Sequence, residues 1–511
     1  MARVALDVSL AHLDRPFDYL VPAELDDAAV VGCRIRARFA GRLVDGYLLE
    51  RVDSSEHQGT LAYLDKVISP EPVLTAEVAR LARAVADRYA GTLADVMRLA
   101  VPPRHARAEA AATAGVALDG APRGVGSDRA RAGAASDGVE QATTGTGTAD
   151  RTVWQPYQGG LEFLAALAAH LGHPSGTGEH LDTTGDQLRA GEGTDAPRAV
   201  MTMLPGEEWP ARLAEAIAVT IHSGRGAVAV VPDARDLERL ERALEQTASK
   251  DHFVALHAAL GPAERYRRFL RASRGQAQAV IGTRAAAFAP VSDLGLVVIW
   301  DDGDDLHAEP RAPYPHALQV LLIRAQLAGA GALVAATARS AEAQLLVETR
   351  WAREIVAPRD VVRQRAPAVA PTGDDADRAR DQAAVTARLP SLAWRTAKDA
   401  LAVGAPVLVQ VPRRGYVPSV SCVECHTPAR CARCAGPLEL RSSHSVAACR
   451  WCGKPAADFA CHRCGQRRLR ASIVGAGRTA EELGRPSPAC PYVPLAGTRY
   501  CPKWTVNRPW W

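Results

Sequence analysis

Four Cys-x-x-Cys pairs lie close together in the C-terminal part of the chain and hold eight of its eleven cysteines. Two such pairs supply the four thiolates of a tetrahedral zinc site, so eight cysteines at this spacing predict two closed, structural zinc sites. Redox-active dithiols and iron–sulfur ligation are the alternatives that the spacing leaves open. The pairs are Cys422/Cys425, Cys431/Cys434, Cys449/Cys452 and Cys461/Cys464.

Glycines and basic residues accompany these pairs. Gly453 and Gly465 each follow the second cysteine of a pair, where a positive φ would let backbone amides point at sulfur. Eight cysteines leave the nearby histidines without a role as ligands. Four arginines around the last pair could contact phosphate, although a solvated charged face explains them equally well. These histidines and arginines are His426, His444, His462, Arg463, Arg467, Arg468 and Arg470.

The composition is that of a folded chain with several domains. Its 511 residues are enough for three or more domains, and 47% of them are hydrophobic. The net charge of +4 is small, so any polyanion binding depends on local patches. The first residues lack an apolar signal-peptide core, and apolar runs such as Leu296–Trp300 are too short to span a bilayer. We expect a soluble, cytoplasmic protein with no membrane partner, whose clustered cysteines bind metal rather than form disulfides.

Residues 1–105 have the pattern of a small, strand-rich domain. Val4–Leu10 alternates roughly as a strand, and Arg34–Phe39 alternates strictly, with three arginines on one face. Helical periodicity over 75–99 ends at Pro102-Pro103.

Residues 106–197 predict a low-complexity, disordered linker. The stretches 106–150 and 172–196 are rich in small and polar residues and poor in aromatic ones. A short helical segment, Leu161–Leu171, lies between them.

From about residue 198, apolar runs alternate with helical patterns, which predicts a doubly wound parallel sheet. Residues 357–380 are charged and contain proline, as expected of a crossing to a second lobe, and Pro406–Val411 predicts one more strand. The other predicted strands are Ala227–Val231, Phe253–Leu256, Ala279–Ile281, Leu296–Trp300 and Gly331–Ala335, and the predicted helices are Asp236–Glu245, Ala263–Ala272 and Leu318–Leu327.

Three sequence blocks, in this order and spacing, resemble those of one family. The first comprises Arg15–Pro22, 32–36 and 39–42, the second comprises 256–260, 281–285 and 288–290, and the third is Arg413-Arg414-Gly415-Tyr416, just ahead of the cysteines. The chain thereby resembles the PriA family of bacterial primosomal replication-restart proteins, relatives of superfamily 2 helicases with a two-zinc insertion. Its high content of Ala, Arg and Gly suits an actinobacterial version.

The resemblance implies a multidomain α/β fold. Residues 1–105 would form the β-rich domain that captures a 3′ end of DNA, 198–365 a RecA-like first helicase lobe, and 366–420 the start of a partial second lobe. The two-zinc module would occupy 421–466, followed by a remnant of the second lobe at 467–485.

The resemblance also implies site residues. The outer four cysteines, from the first and last pairs, would bind one zinc ion, and the inner four would bind the other. An aromatic ring can stack on a terminal base, a carboxylate can accept from a free 3′-hydroxyl, and a lysine can meet a phosphate. The alternative for the two aromatic residues is that they form the core of a small barrel. The positions that match the 3′-end pocket are Phe17, Asp18, Tyr19, Gly41 and Lys66.

The nucleotide-binding motifs depart from the family. ATP hydrolysis needs a phosphate-binding glycine loop with Lys and Ser/Thr, and an acidic Mg²⁺ ligand. The loop from Gly206 to Pro210 instead places Trp209 at the lysine position and Pro210 at the threonine position. We expect nucleotide binding of the usual type to be abolished.

The acidic motif has changed as well. The family's Asp-Glu-Glu-His is Asp301-Asp302-Gly303-Asp304 in this chain. Asp301 could still bind a cation, but the four carboxylates of Asp301, Asp302, Asp304 and Asp305 fit a solvated loop better than a catalytic site. Gly206, Asp301 and Asp302 are the remaining positions of a degenerate nucleotide site.

Residues 486–511 do not match the family. They are rich in proline and tryptophan without periodicity. We expect an aberrant tail, produced by a frameshifted or prematurely ended reading frame, which resequencing would test.

These features favour a replication-restart factor that binds forked and single-stranded DNA without helicase activity. Its expected cofactors are two zinc ions, and its expected partners are primosome and replicative-helicase loading proteins and the single-stranded DNA-binding protein, in the nucleoid. The alternatives are an active ATP-dependent 3′→5′ helicase and a non-functional zinc-binding fragment.

Overall fold

The computed structural model describes residues 1–111, 154–170, 196–371, 390–410 and 416–474. These residues form two compact units, which divide between Pro367 and Ala368. The predictions for Arg413-Arg414-Gly415, for most of the linker and for everything after residue 474 lie outside the described residues.

A five-stranded antiparallel sheet forms the N-terminal part of the first unit, in the order β2-β1-β4-β3-β5. The strand predicted at Arg34–Phe39 is β3, with Ile35 and Ala37 fully buried. Backbone hydrogen bonds of Leu20 with residues 62 and 64 join the end of β2 to the start of β5, so the two edge strands meet as in a small barrel. The strands are β1 (Ala2–Leu6), β2 (Phe17–Tyr19), β3 (Arg34–Phe39), β4 (Arg42–Arg51) and β5 (Leu64–Ser69).

The helical periodicity over 75–99 is divided between two helices, α1 (Ala76–Arg88) and α2 (Leu93–Ala100). The chain turns at Ala90, whose φ is +49°, and the Thr92 hydroxyl then accepts from the Asp95 amide to begin α2. The prediction of a linker from residue 106 is wrong for 106–111, which is helical and buries Glu109. The Glu109 carboxylate accepts hydrogen bonds from Ser69, Tyr266 and Arg104. These contacts hold residues 106–111 in the fold although the local sequence has the composition of a linker.

A seven-stranded parallel sheet forms the rest of the first unit, in the order β12-β6-β11-β10-β7-β9-β8. All five predicted strands are present within about one or two residues, because fully buried parallel strands are continuously apolar. The strands β6 and β12 were not predicted. The elements are β6 (Arg198–Thr202), α4 (Trp209–His222), β7 (Gly226–Val230), α5 (Ala234–Thr247), β8 (Phe253–Leu256), α6 (Pro262–Ser273), β9 (Ala279–Gly282), β10 (Leu294–Trp300), α7 (Ala317–Ala328), β11 (Gly331–Ala336), α8 (Ala341–Glu348), β12 (Arg353–Ile355) and α9 (Arg359–Arg365).

The described segment 154–170 belongs to the core of this sheet, so it is not part of a linker as predicted. Its helix α3 (Gly160–Ala169) packs Phe163 and Leu167 into the core, and Trp154 is completely buried. The indole Nε1 of Trp154 donates to Glu215 Oε2 at 2.6 Å. The buried side chains of Trp154, Phe163 and Leu167, together with this hydrogen bond, hold the segment against α4.

Buried polar contacts join the N-terminal sheet and its helices to the parallel sheet. Arg324 on α7 is 1% exposed and donates to both carboxylate oxygens of Glu77 on α1, at 2.9 and 3.3 Å. Tyr266 on α6 donates to Glu109 at 2.7 Å. Because both contacts are shielded from water, they fix the orientation of the N-terminal part on the sheet.

The second unit contains helix α10 (Ser391–Ala402) and the cysteine pairs. The strand predicted at Pro406–Val411 is wrong for 406–410, which has no regular structure and leaves Leu408 75% exposed, since no described strand pairs with it. Two small antiparallel ladders, β13–β16 and β14–β15, connect the cysteine pairs. Their strands are β13 (Ser419–Cys422), β14 (Leu438–Glu439), β15 (Ala448–Cys449) and β16 (Leu469–Ile473).

No helix in the described part of the chain is both long and apolar enough to cross a bilayer.

Candidate functional sites

Strand β2 carries three of the predicted DNA-contacting residues. Tyr19 points into the sheet core, is 4% exposed and donates from its hydroxyl to the Arg38 carbonyl at 3.2 Å. Phe17 is half-buried and packs edge-on against Phe39, with ring centroids 4.8 Å apart. Tyr19 is therefore a core residue of the small barrel, which was the alternative to a role in DNA binding, whereas part of the Phe17 ring remains accessible.

Asp18 lies between these aromatic residues and points away from the core. Ser55 Oγ donates to Asp18 Oδ2 at 2.6 Å, and Arg3 Nε donates to Asp18 Oδ1 at 3.2 Å. The carboxylate is thus oriented by two donors, with lone pairs left to accept another one. Sequence reasoning missed Arg3 and Ser55, because 37 residues separate Ser55 from Asp18 and only the fold brings the two together.

The remaining two predicted residues lie on other parts of the sheet. Gly41 follows Phe39 in the β3–β4 turn with φ +81°, and a Cβ added there would meet nothing within 4 Å. Its carbonyl accepts from Arg38 Nη1 at 3.3 Å. Lys66 is exposed on β5 opposite Arg36 and forms no ion pair with any described residue. An exposed turn next to the Phe17–Phe39 pair and an unpaired lysine are both available to a ligand.

The four cysteine pairs share one backbone turn. In each pair the amide of the first cysteine donates to the carbonyl five residues later, at 2.8 to 2.9 Å. The residue after the second cysteine has a positive φ in all four, between +57° and +73°. The predicted positive φ is therefore present at both glycines, but their amides donate to the carbonyls of Cys449 and Cys461 rather than to sulfur. The residues with positive φ are His426, Ala435, Gly453 and Gly465.

The turns bring the thiols together in two sets of four, whose sulfur atoms all lie within 4.8 Å of one another. Amides of Cys452 and Trp451 favour the thiolate and lower the pKa of Cys449 to about 6, and hydrogen bonds from Thr427 lower the pKa of Cys425 to about 6. Four thiolates with no other ligand are the donor set of a structural zinc site, so the residues fit the metal. The sets are Cys422, Cys425, Cys461, Cys464 and Cys431, Cys434, Cys449, Cys452, as the resemblance implied.

An aromatic stack fills the loop that the resemblance equates with the family's phosphate-binding loop. Trp209 begins helix α4, is 5% exposed and stacks on Trp300 with ring centroids 4.2 Å apart and planes at 8°. The guanidinium of Arg239 also lies over the Trp209 ring, 5.1 Å from the ring centroid. The backbone at Gly206 has φ +73°, but the loop that follows leads into this stack rather than into an open cradle.

The glutamates of this loop are also engaged. Glu207 accepts from Arg212 Nε at 2.7 Å and forms a short hydrogen bond with the Tyr157 hydroxyl. The same hydroxyl accepts from the Leu204 amide at 2.9 Å. This network fixes the Glu207 carboxyl group within the loop that the resemblance equates with a phosphate-binding loop, in which free amides would be expected.

The acidic cluster after β10 is not a fully solvated loop, contrary to the prediction. Asp302 is 3% exposed and accepts a short hydrogen bond from Ser340 Oγ, since the chain turns inward there. Asp301 has φ +51°, and its pKa is raised by burial and then by the neighbouring Asp304 and Asp302. Nothing basic pairs with either carboxylate among the described residues.

A basic cavity of about 100 Å³ lies between the end of α2 and the parallel sheet. Arg284 and Arg311 both contact Glu309, at 2.8 and 3.3 Å, whereas Arg265 has no carboxylate partner among the described residues. The buried Nδ1 atom of His257, which also lines the cavity, has no hydrogen-bond partner. The unneutralised positive charge and the free nitrogen suit an anionic ligand.

Comparisons with known proteins agree with this geometry. Residues 3–102 match the family described as the 3′ DNA-binding domain (3′BD) of PriA. The chain is 49% identical to the probable replication restart protein PriA of Mycobacterium tuberculosis over 97% of this chain and 68% of the relative, and 48% identical to that of Mycobacterium leprae over 97% and 69%. Among solved structures, the DUF1998 helicase MrfA bound to DNA is similar over 33% of this chain and 23% of its own, at 10% identity and a TM-score of 0.22, which is too weak to carry an argument.

Proposed function

The chain belongs to the family of PriA replication restart proteins, and from this premise we propose that it binds forked DNA at a free 3′ end without ATP-driven unwinding. Residues 1–105 would supply the 3′-end pocket, and the cavity beside Arg265 would contact the DNA backbone. The family role in replication restart makes loading proteins and the single-stranded DNA-binding protein its proposed partners, in the cytoplasm at the nucleoid.

The observation that carries the DNA-binding part is the orientation of Asp18. A carboxylate fixed by Ser55 and Arg3 retains acceptor capacity for a 3′-hydroxyl. Phe17 beside it offers part of a ring for the terminal base, and the unpaired Lys66 offers a charge for a phosphate. Asp18 would therefore determine end recognition, and the basic residues would determine overall affinity.

The Trp209–Trp300 stack supports the absence of a motor. The resemblance places a lysine and a hydroxyl of the nucleotide site at positions 209 and 210, where this loop has a buried, stacked tryptophan and a proline. Asp301 alone has no partner motif with which to hold Mg²⁺ against a phosphate.

We propose that each set of four cysteines binds one structural zinc ion. The metal would supply a rigid link between paired turns, with no open coordination position for chemistry. Hydrogen bonds favour the thiolate at Cys449 and Cys425, whereas the pKa values of Cys434 and Cys464 in the same two sets are raised to about 12, so the hydrogen bonds alone do not favour all four thiolates of a set.

Fork binding with matched 3′ ends tests this function. Wild-type protein should prefer a fork with a free 3′-hydroxyl over the same fork with a 3′-phosphate, and its Kd should rise steeply with salt. Asp18→Asn should lose about tenfold or more of that preference, since a hydrogen bond to a charged group contributes about 1.5–3 kcal/mol. Asp45→Asn is the control, because Asp45 lies exposed on the same sheet and, among the described residues, its carboxylate pairs only with Arg36.

Equal affinity of wild type for free and blocked ends would refute the pocket assignment. ATP turnover above background with fork DNA would refute the absence of a motor and favour the helicase alternative.

A further inference from the structure

An exposed tryptophan stands on the inner cysteine cluster. Trp451 lies between Cys449 and Cys452 and is 69% exposed, and Val446 near it in sequence is 56% exposed. Tryptophan is buried on average more than most residues, so a Trp left open on a small rigid module calls for an explanation.

The ring is held by the opposite cysteine turn. A Cβ at Gly436 would fall 2.9 Å from Cδ2 and 3.0 Å from Cε3 of Trp451, so only glycine lets the indole lie this close to the backbone. Pairing of Leu438 with Cys449 and a 2.9 Å bond from the Arg450 amide to the Pro437 carbonyl fix the two turns together. One side of the ring is therefore supported, and the rest is open to solvent.

The surroundings of the ring are cationic. Arg433, Arg450 and Lys454 are exposed and form no ion pair with described residues. The described residues 416–474 contain nine arginines and lysines but three acidic residues, an excess that outweighs the negative charge of two tetrathiolate zinc sites. An exposed aromatic ring among unpaired cationic side chains suits a nucleic acid, which has both negatively charged phosphates and flat bases, better than it suits an apolar protein surface.

We propose that Trp451 is a stacking platform for a base of single-stranded DNA, and that Arg433, Arg450 and Lys454 contact the flanking phosphates. The inference rests on the proposed DNA-binding function and adds a contact separate from the 3′-end pocket. Every base has a π face, so such a platform binds without sequence preference. The contact with Gly436 already restricts the ring, so less conformational entropy is lost on binding than for a free surface side chain.

The test uses the full-length chain and a 5′-fluorescein oligo(dT) with a 3′-phosphate, so that end capture does not contribute. Trp451→Ala and Trp451→Leu should weaken binding about 5- to 150-fold, because stacking contributes about 1–3 kcal/mol per base. Trp451→Phe should stay within a few-fold of wild type. Tyr314→Ala is the control, since Tyr314 is 63% exposed on the first unit.

Zinc content is measured for every variant. If Trp451→Ala loses zinc, the Leu and Phe variants decide the question, because both keep a side chain against Gly436. Equal affinity of Trp451→Leu and wild type for the blocked oligonucleotide would overturn the proposal and point to a protein partner for this face. A preserved preference for free 3′ ends in that variant would leave the proposed function standing, whereas a wild-type chain that binds no DNA would overturn the proposed function itself.

Discussion

Replacing Trp209 by alanine tests whether its ring is an integral part of the hydrophobic core or only covers a nucleotide pocket that is otherwise intact. The side chain is 5% exposed and contacts both the Trp300 ring and the Arg239 guanidinium. If the stack is part of the core, its removal destabilises the first unit. If the stack only covers an intact pocket, its removal costs little and opens a nucleotide site.

The expected cost follows from these contacts. Truncating a buried tryptophan to alanine costs about 3–5 kcal/mol. Within that total, the pair with Trp300 contributes about 0.5–1.5 kcal/mol beyond burial, and the cation–π contact with the partly exposed Arg239 about 0.5–1 kcal/mol. Arg239→Ala should therefore cost about 1 kcal/mol, well below Trp209→Ala.

Urea unfolding followed by circular dichroism measures these differences. Tyr314→Ala is the control, because Tyr314 lies in the same unit, is 63% exposed and should change stability by less than about 0.5 kcal/mol. A loss below about 1 kcal/mol for Trp209→Ala, or ATP binding gained by that variant, would refute the reasoning.

Two further predictions concern the buried junction and the metal sites. Burial alone would raise the pKa of Glu109, but hydrogen bonds from Arg104, Ser69 and Tyr266 outweigh it and lower the pKa. The contribution of ionised Glu109 to the free energy of unfolding is therefore fully present above the ordinary pKa of a carboxyl group, and it is lost as the pH falls through the lowered pKa. Glu109→Gln should make Tm fall less steeply at acidic pH than in the wild type. An unchanged acidic part of the Tm–pH curve would contradict this. Cys449→Ser should leave about one zinc ion per chain by elemental analysis, since the outer four thiols form a separate set, and retention of two ions would contradict the assignment.

The buried strands of the parallel sheet could be predicted from sequence, and its edges could not. Leu294–Trp300 is apolar at nearly every position because both faces are covered, which no other local structure explains as well. The edge strand Arg353–Ile355 has three residues, two of them charged, and only pairing with β6 makes it a strand. Trp154 and Glu109 lie in a stretch whose composition predicts a linker. Their burial depends on Glu215 and Tyr266, which are distant in sequence, so no local pattern indicates it.

The candidate sites also differ in how far the sequence alone predicts them. Cysteine spacing carries its own geometry, since four copies of one local turn place the thiols, and these were therefore predictable. The partners that orient Asp18 come from β1 and from the loop after β4, so no local pattern indicates them. The exposed ring of Trp451 depends on Gly436 in another cysteine turn.

The proposed loss of nucleotide binding has a consequence for the N-terminal sheet. The loop from β6 to α4 lies at the carboxyl edge of a parallel sheet, where a bound ligand would stabilise the folded state by about 2.7 kcal/mol at a hundredfold excess over Kd. Here the indoles of Trp209 and Trp300 supply a contact of similar size at all times. Arg324 on α7 joins the parallel-sheet part of the first unit to Glu77 on α1, so under the proposed function the N-terminal part rests on a support that needs no bound nucleotide. A 3′-end pocket built on that support should have the same affinity with and without ATP.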